Sequence, residues 1–454
     1  MARGATRRRT RRYVQANLIE MVLNVTNAGM AAFPPLQGEG QGGDGVRAGT
    51  PSFPHPHPNL PLEGEGAVAE YIGDGVTRVI APARNLAPIR YSDPFVTRLY
   101  NEIGALIEGD PVDEQRIAHD LQELAQRNNP AVREYWRRTD HGLGVPDSAF
   151  RAGTLFHFED ATPVRAFRTS GTSGQSRGVA EYSERGLDLM RCSIVANARR
   201  HIFGWLDRPT VIRLVPDVRA VPDGVMPYGM ALLAETFGDP ATSTSIVGPK
   251  GLDIPTLLER LDRSVSEQRP VVMIGGSFAF VHLCDALAAQ DRRWVLPQGS
   301  RIVDAGGFKG RSRELDVDVL RGELAAIFGV PRGGFTNIFG MTELASQLYD
   351  ASQSRVGPKG ERPKHPLGFV QPRVRDPFTW SITHSGPGLL EVADLCVLDR
   401  PHVVLTGDWG IASREGIAIT GRVVASESRG CALAFESPTA LAPKRVEERT
   451  HARA

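Results

Sequence analysis

Residues 271–304 read VVMIGGSFAFVHLCDALAAQDRRWVLPQGSRIVD. Val271 to Ile274 is a short apolar, β-branched run, and Arg301 to Asp304 is another. Between them, AFVHLCDALAAQ carries its apolar residues at helical spacing. Strand, helix and strand in that order form a βαβ unit, whose strands read as continuous apolar runs because both their faces are covered. Outward from this unit, TVIRLV (210–215) is a further strand and LDIPTLLERLDRSVSEQ a further amphipathic helix. PFVTRLYNEIGALIEG and EQRIAHDLQELAQR, nearer the start, are helical by the same spacing. After about Arg373 the pattern turns strand-rich, as in GLLEVADLCVLD, PHVVLTGDWG and GIAITGRVVASE. The expectation is an α/β fold: a large domain of βαβ sheet with flanking helices over 86–420, then a small, truncated β-containing C-terminal piece over 421–436.

The ends read differently. Residues 1–85 hold a basic run, RRRTRR, and two near-copies, PLQGEG and PLEGEG, in a Pro/Gly/Glu tract. Such a tract buries too little apolar surface to offset the entropy of ordering it, so a disordered extension is expected. It resembles a translated intergenic repeat, which would put the true start further on. LIEMVLNVTNAGMAAF, after the basic run, lacks the clean apolar core of an export signal. His55 and His57 sit in this coil and read as part of a solvated repeat. Residues 437–454 form a polar tail.

Composition narrows the class. The 454 residues are 41% hydrophobic and 23% charged, with a formal net charge of +1. That balance gives no electrostatic footprint for nucleic acid. No apolar run approaches the roughly 20 residues of a membrane span. Four separated cysteines, Cys192, Cys284, Cys396 and Cys431, form no CxxC pair, which fits a reducing cytoplasm. Cys192 and Cys396 lie in apolar contexts and are expected in the core.

Three stretches carry the chemistry. In FRTSGTSGQSRG, the run Thr169, Ser170, Gly171, Thr172, Ser173 and Gly174 offers free backbone N–H groups and hydroxyls to a phosphate, with Arg177 within reach. A plain turn has the same composition. In NIFGMTE, Thr342 and Glu343 pair a phosphate donor with a hard oxygen ligand for Mg²⁺, or else open a helix. In VVLTGDWG a strand is expected to end in a Gly-Asp turn, with Asp408 available to ribose hydroxyls.

In this order, the three resemble the core motifs of the adenylate-forming superfamily of acyl-CoA synthetases, luciferases and adenylation domains. FRTSGTSG, DAGGFKGR, NIFGMTELASQLY and GRVVASESRGCAL are similar, closer still, to the acyl-protein synthetases, the fatty-acid-activating component of bacterial bioluminescence reductase complexes. The resemblance covers roughly 88–436 and implies ATP and Mg²⁺ as cofactors, a fatty acid as substrate and an acyl-CoA reductase-type partner. By it, residues 169–174 and Arg177 hold the β- and γ-phosphates, and Gly306 and Gly307 let the chain pass close to the adenine. Phe339 stands beside the adenine where Tyr is usual, and Ala305 where Thr is expected. Thr342 contacts the α-phosphate, Glu343 holds the metal, Asp408 binds the ribose and Arg422 marks the hinge.

CoA ligases of the superfamily continue past the hinge as a mobile domain that supplies a lysine. Here 32 residues follow Arg422, and Lys444 is the one lysine among them. Cys431 lies among them instead, with Arg429 nearby to favour the thiolate, and by the resemblance is a candidate acyl acceptor; a buried strand residue is the alternative. Competing readings are a CoA ligase resembling phenylacetate-CoA ligase, a non-catalytic nucleotide binder, and a serine hydrolase. The last would use Ser277 in VVMIGGSFA as nucleophile, His282 or His402 as base and Asp304 as acid.

Overall fold

The structure is a computed structural model describing residues 87–139, 142–169, 177–288, 290, 292–306, 312, 313, 315–350 and 362–422. It opens with three helices, α1 (Pro94–Glu108), α2 (Glu114–Asn128) and α3 (Pro130–Arg138). Pro94 and Pro130 start α1 and α3, where no backbone donor is needed, and the Asp93 and Asn129 side chains accept from the first free N–H groups. A two-residue strand β1 (Val145–Pro146) and a short helix α4 (Ala149–Ala152) lead to the hairpin β2 (Arg165–Arg168) and β3 (Val179–Tyr182). Helix α5 (Glu184–Ala198) follows.

The βαβ region then runs β4 (Thr210–Pro216), α6 (Val225–Phe237), β5 (Thr244–Gly248), β6 (Gly251–Leu252), α7 (Ile254–Ser266), β7 (Val271–Gly276), α8 (Ser277–Ala288), β8 (Arg301–Ala305), α9 (Val317–Phe328), β9 (Phe335–Phe339) and β10 (Leu348–Tyr349). Its sheet has the order β10-β9-β8-β7-β4-β5-β6, with β9, β8, β7, β4 and β5 parallel. Alternate side chains of β4, β7 and β8 enter different cores. Val211, Val215, Val272, Ile274 and Val303 join one, with helices α5 and α6. Ile212, Leu214, Val271, Met273 and Ile302 join the other, with α7, α8 and α9. A strand with both faces covered has no polar face, which is why the sequence showed unbroken apolar runs there.

The remaining strands are β11 (Pro363–Lys364), β12 (Val370–Arg375), β13 (Ile382–Thr383), β14 (Gly386–Asp394), β15 (Val403–Ser413) and β16 (Gly416–Arg422). They form a second sheet, β11-β16-β15-β14-β12-β13, to which β1 adds in parallel alongside β15. Leu390, Val392 and Val404 of this sheet belong to the same core as α1 to α3. One expectation is corrected: the chain does not turn at Gly407-Asp408. Strand β15 runs on to Ser413, because Asp408 pairs with Arg422 across the ladder to β16; its register shifts against β14 between Leu405 and Trp409 and against β16 between Trp409 and Gly410. Among the described residues no helix is long and apolar enough to cross a membrane.

Candidate functional site

The parallel strands β8 and β9 lie side by side in register, Ala305 opposite Ile338, so their carboxyl ends deliver Gly306 and Phe339 to one edge. In open α/β sheets that edge is where ligands bind. Gly306 has φ +73°, a left-handed conformation that lets the chain leave the strand abruptly. Beneath it the Ser277 hydroxyl, at the β7–α8 junction, lies 3.1 Å from an Asp304 carboxylate oxygen and 3.1 Å from the Gly306 carbonyl. Ser277 thus donates to acceptors that bind the strand ends together, which is not the base-facing geometry a nucleophile needs.

The chain between Phe339 and Leu348 carries Thr342 and Glu343. It is neither strand nor helix, so neither residue opens a helix. Met341 to Ser346 are all buried nonetheless. The Asp394 carboxylate, at the end of β14, accepts from the Ala345 and Ser346 N–H groups at 2.8 and 2.6 Å and from the Ser346 hydroxyl at 2.8 Å.

Glu343 faces a group of charges drawn from the second sheet. Arg422 Nε lies 3.2 Å from Asp408 Oδ1, and its Nη2 lies 3.5 Å from Asp147 Oδ2. Burial, and next the Asp147 carboxylate, push the Glu343 carboxyl up to about 7, with Arg422 and Arg151 pulling the other way. Burial works against the Arg422 charge, but Asp408, Asp147 and Glu343 outweigh it and raise its pKa. Asp147 reaches this place because β1 lies on β15: its N–H donates to the Leu405 carbonyl at 3.0 Å. A side chain at Gly144 would stand 2.6 Å from the Leu405 nitrogen, so only glycine permits the approach. The Gly144 N–H in turn donates to Glu391 Oε2 at 2.7 Å, and Glu391 forms a buried two-point ion pair with Arg375 at 2.7 and 2.9 Å.

The structure therefore gathers Thr342, Glu343, Asp408 and Arg422, with Gly306 and Phe339 at the neighbouring strand ends. Thr169 and Arg177 sit at the mouth of the β2–β3 hairpin. The Thr169 hydroxyl accepts from the Gly178 N–H at 2.8 Å, just beyond the paired ends of β2 and β3. Arg177 donates to the Thr169 carbonyl at 2.6 Å and pairs with Asp223 at 2.9 Å. Ser170, Gly171, Thr172, Ser173, Gly174, Gly307 and Cys431 lie outside the described residues. Cys284 and Cys396 are buried, Cys396 in a turn after β14, whereas Cys192 is exposed on α5 and so is not the core residue expected. The helical stripe of α5 buries Leu189, Met190, Ser193, Ile194 and Asn197 and leaves position 192 outside.

Several polar residues around the site were not assigned the role the structure gives them, although Asp304 and Asn337 stand inside the DAGGFKGR and NIFGMTE stretches. Asp147 is one, since nothing nearby marks it as anything but a turn residue. Asp304, Arg321, Asn337, Asp350 and Lys364 form another group. Asp304 accepts from the Asn337 amide at 2.7 Å, Asp350 accepts from the Asn337 N–H at 2.6 Å, and Lys364 Nζ donates to the Asn337 carbonyl oxygen at 3.2 Å. Arg321 reaches Asp304 at 3.4 Å and Asp350 at 3.2 Å. Two acids and two bases share this buried space, and together they tie the ends of β8 and β9 to β11.

The family model for acyl-protein synthetase, LuxE, matches residues 140–439, about two thirds of the chain. Among solved structures, the chain is similar to ATP-bound MatB from Rhodopseudomonas palustris: identity is 20%, TM-score 0.41, with 61% of this chain on 52% of that one. It is similar to a long-chain-fatty-acid-CoA ligase, FadD1, from Archaeoglobus fulgidus at 15% identity and TM-score 0.41, with 58% of this chain on 52% of that one. It is also similar to 2-hydroxyisobutyryl-CoA ligase in complex with 2-HIB-AMP and CoA at 14% identity and TM-score 0.42, with 73% of this chain on 64% of that one. The chain spans about half the length of the first two. No curated protein matches it.

Proposed function

Because the chain belongs to the acyl-protein synthetase family, LuxE, we propose that it activates a carboxylic acid with ATP and passes the acyl group to a protein thiol. The acid is a fatty acid, the working compartment the cytoplasm, and the onward partner a reductase of the acyl-CoA reductase type. In the first step a carboxylate oxygen bonds to the α-phosphorus as the bond to the pyrophosphate oxygen breaks. In the second a thiolate sulfur bonds to the acyl carbon and AMP leaves. Cys431 is the proposed acceptor.

The observation that carries this reading is the cluster of Glu343, Asp147, Asp408 and Arg422 at the carboxyl edge of the parallel sheet. Glu343 and Asp147 bring negative charge and hard oxygen donors to one buried place, a donor set that suits Mg²⁺, which Glu343 would hold. When bound, Mg²⁺ offsets charge on the phosphoryl oxygens. The rest falls to the chain. Asp408 accepts from the ribose hydroxyls, and Gly306, Gly307 and Phe339 flank the adenine. Thr342 donates to the α-phosphate, while Thr169 to Gly174 and Arg177 hold the outer phosphates. Arg177 must exchange Asp223 for phosphate to do so, a swap of one anion for another. Such preorganised donors lower the repulsion between two anions, the main obstacle to the first step.

ATP–pyrophosphate exchange over a panel of acids tests the reading. Glu343→Ala abolishes exchange, while Cys431→Ser spares exchange and loses the protein-bound acyl label. Exchange at background with every acid overturns adenylation. Retained label in Cys431→Ser overturns the acceptor alone, and AMP release that requires CoA moves the protein to the CoA ligases.

A further inference from the structure

The turn that carries Thr342 and Glu343 is irregular and buried, so its backbone polar groups need partners other than a ladder or a helix. Side chains from elsewhere supply them. Arg400 Nε donates to the Glu343 carbonyl at 3.0 Å, and the Tyr182 hydroxyl donates to the Leu344 carbonyl at 3.0 Å. Ser193 Oγ lies 3.3 Å from the Ala345 carbonyl, and Asp394 takes the next two N–H groups.

Tyr182 differs from the others in making two bonds that meet. Its oxygen also accepts from Arg400 Nη2 at 2.6 Å, and the Arg400 guanidinium carbon lies 4.2 Å from the centre of its ring. One phenol therefore closes a ring of contacts: Tyr182 to Leu344, Leu344 to Glu343 along the chain, Glu343 to Arg400, and Arg400 back to Tyr182. Tyr182 and Arg400 are 1% and 2% exposed, so water does not substitute for a lost bond at small cost. Tyr182 is also the last residue of β3, the strand that leads away from the FRTSGTSG stretch.

We infer that Tyr182 is a positioning residue: with Arg400 it sets the place of the Thr342–Glu343 turn against the β2–β3 hairpin. This role rests on the reading that Thr342 and Glu343 serve nucleotide and cation. Burial, chiefly, raises the Tyr182 phenol to about 12, so it keeps its proton at neutral pH and remains the donor to Leu344. Phenylalanine keeps the ring and the stacking on Arg400 but leaves the Leu344 carbonyl and Arg400 Nη2 each short of a partner. The turn then moves to recover them, and a misplacement of about 1 Å at a reacting centre costs on the order of 100-fold in rate.

The test uses the full chain with Tyr182→Phe, and Arg400→Lys as a second variant that keeps the charge but loses the bond to Glu343. Ser300→Ala is the stability control. It removes buried bonds to the Val271 N–H and the Pro297 carbonyl at the opposite edge of the sheet. In pyrophosphate exchange, kcat of Tyr182→Phe falls by roughly 10- to 100-fold, while KM for ATP stays near the wild-type value. Mn²⁺ binding, followed by loss of the free-ion EPR signal, weakens at the same time. Ser300→Ala loses stability but keeps kcat and Mn²⁺ binding. A folded Tyr182→Phe with wild-type kcat and Mn²⁺ binding overturns the role, as does a loss matched by Ser300→Ala. A wild-type protein that neither exchanges pyrophosphate nor binds Mn²⁺ overturns the proposed function itself.

Discussion

Replacing Glu343 with glutamine removes a charge that the folded protein accommodates poorly, and the size of the effect follows from its surroundings. The side chain is buried, and its carboxyl ionises near 7 in the folded state against an ordinary value of 4.5. Between those values the native state holds a proton that the unfolded chain has released. Stability contributed by this group is therefore lost as pH rises through that window. At about 1.4 kcal/mol per pH unit between the two values, the cost approaches roughly 3 kcal/mol above pH 7, most of it acquired between pH 5 and pH 8. Glutamine keeps the shape without the charge, so Glu343→Gln gains on the wild type by roughly 2 to 3 kcal/mol over that interval. It gives up exchange activity in return. The wild-type curve by itself hides the effect, because His157 and His402, both held near 3 chiefly by burial, gain stability in the same direction of pH. Urea unfolding of both proteins at pH 5 and pH 8, followed by tryptophan fluorescence, isolates the difference. If that difference is the same at both pH values to within about 1 kcal/mol, the desolvation argument for Glu343 fails.

Other outcomes follow from the same geometry. His402 is buried with its folded pKa below the unfolded one, so its contribution is present above 6.5 and lost on acidification; His402→Gln should flatten the stability–pH curve between pH 7 and 5 by about 2 kcal/mol. Glu391→Gln removes the charge that answers the buried Arg375 guanidinium and should cost about 3 kcal/mol or more in urea unfolding. Gly186→Ala, which in an exposed helix gains up to about 1 kcal/mol, should instead destabilise by 1 to about 3 kcal/mol. The added Cβ would stand 1.6 Å from a buried Asp399 oxygen, and a thermal melt above the wild-type midpoint would contradict this.

Much of the βαβ region could be read directly. TVIRLV, VVMI and RIVD became β4, β7 and β8, and the four stretches with helical apolar spacing became α1, α2, α7 and α8, while α5 and α6 were not read. The reading worked because burial on both faces writes itself into a single strand, and an amphipathic stripe into a single helix. It failed where the deciding neighbour is remote. Asp408 looked like a turn residue, but the partner that keeps it in a strand is Arg422 on β16. Cys192 looked like core because its neighbours in sequence are apolar, while the helix turns it outward.

The composition of the candidate site divides the same way. Thr342, Glu343, Asp408 and Arg422 each stand in a short recognisable stretch, because the proposed handling of phosphate, metal or ribose would need a local backbone shape as well as a side chain. Asp147 follows strand β1, 275 positions before the Arg422 it pairs with. Tyr182 and Arg400 grip a turn 162 and 57 residues away, through bonds to its carbonyls. A bond to a backbone carbonyl asks nothing of the residue that owns it, so no pattern at Leu344 or Glu343 announces the donor. The local sequence thus specifies which groups can do chemistry and which segments are helix or strand. Strand order and the burial of one irregular turn decide which distant side chains hold those groups in place.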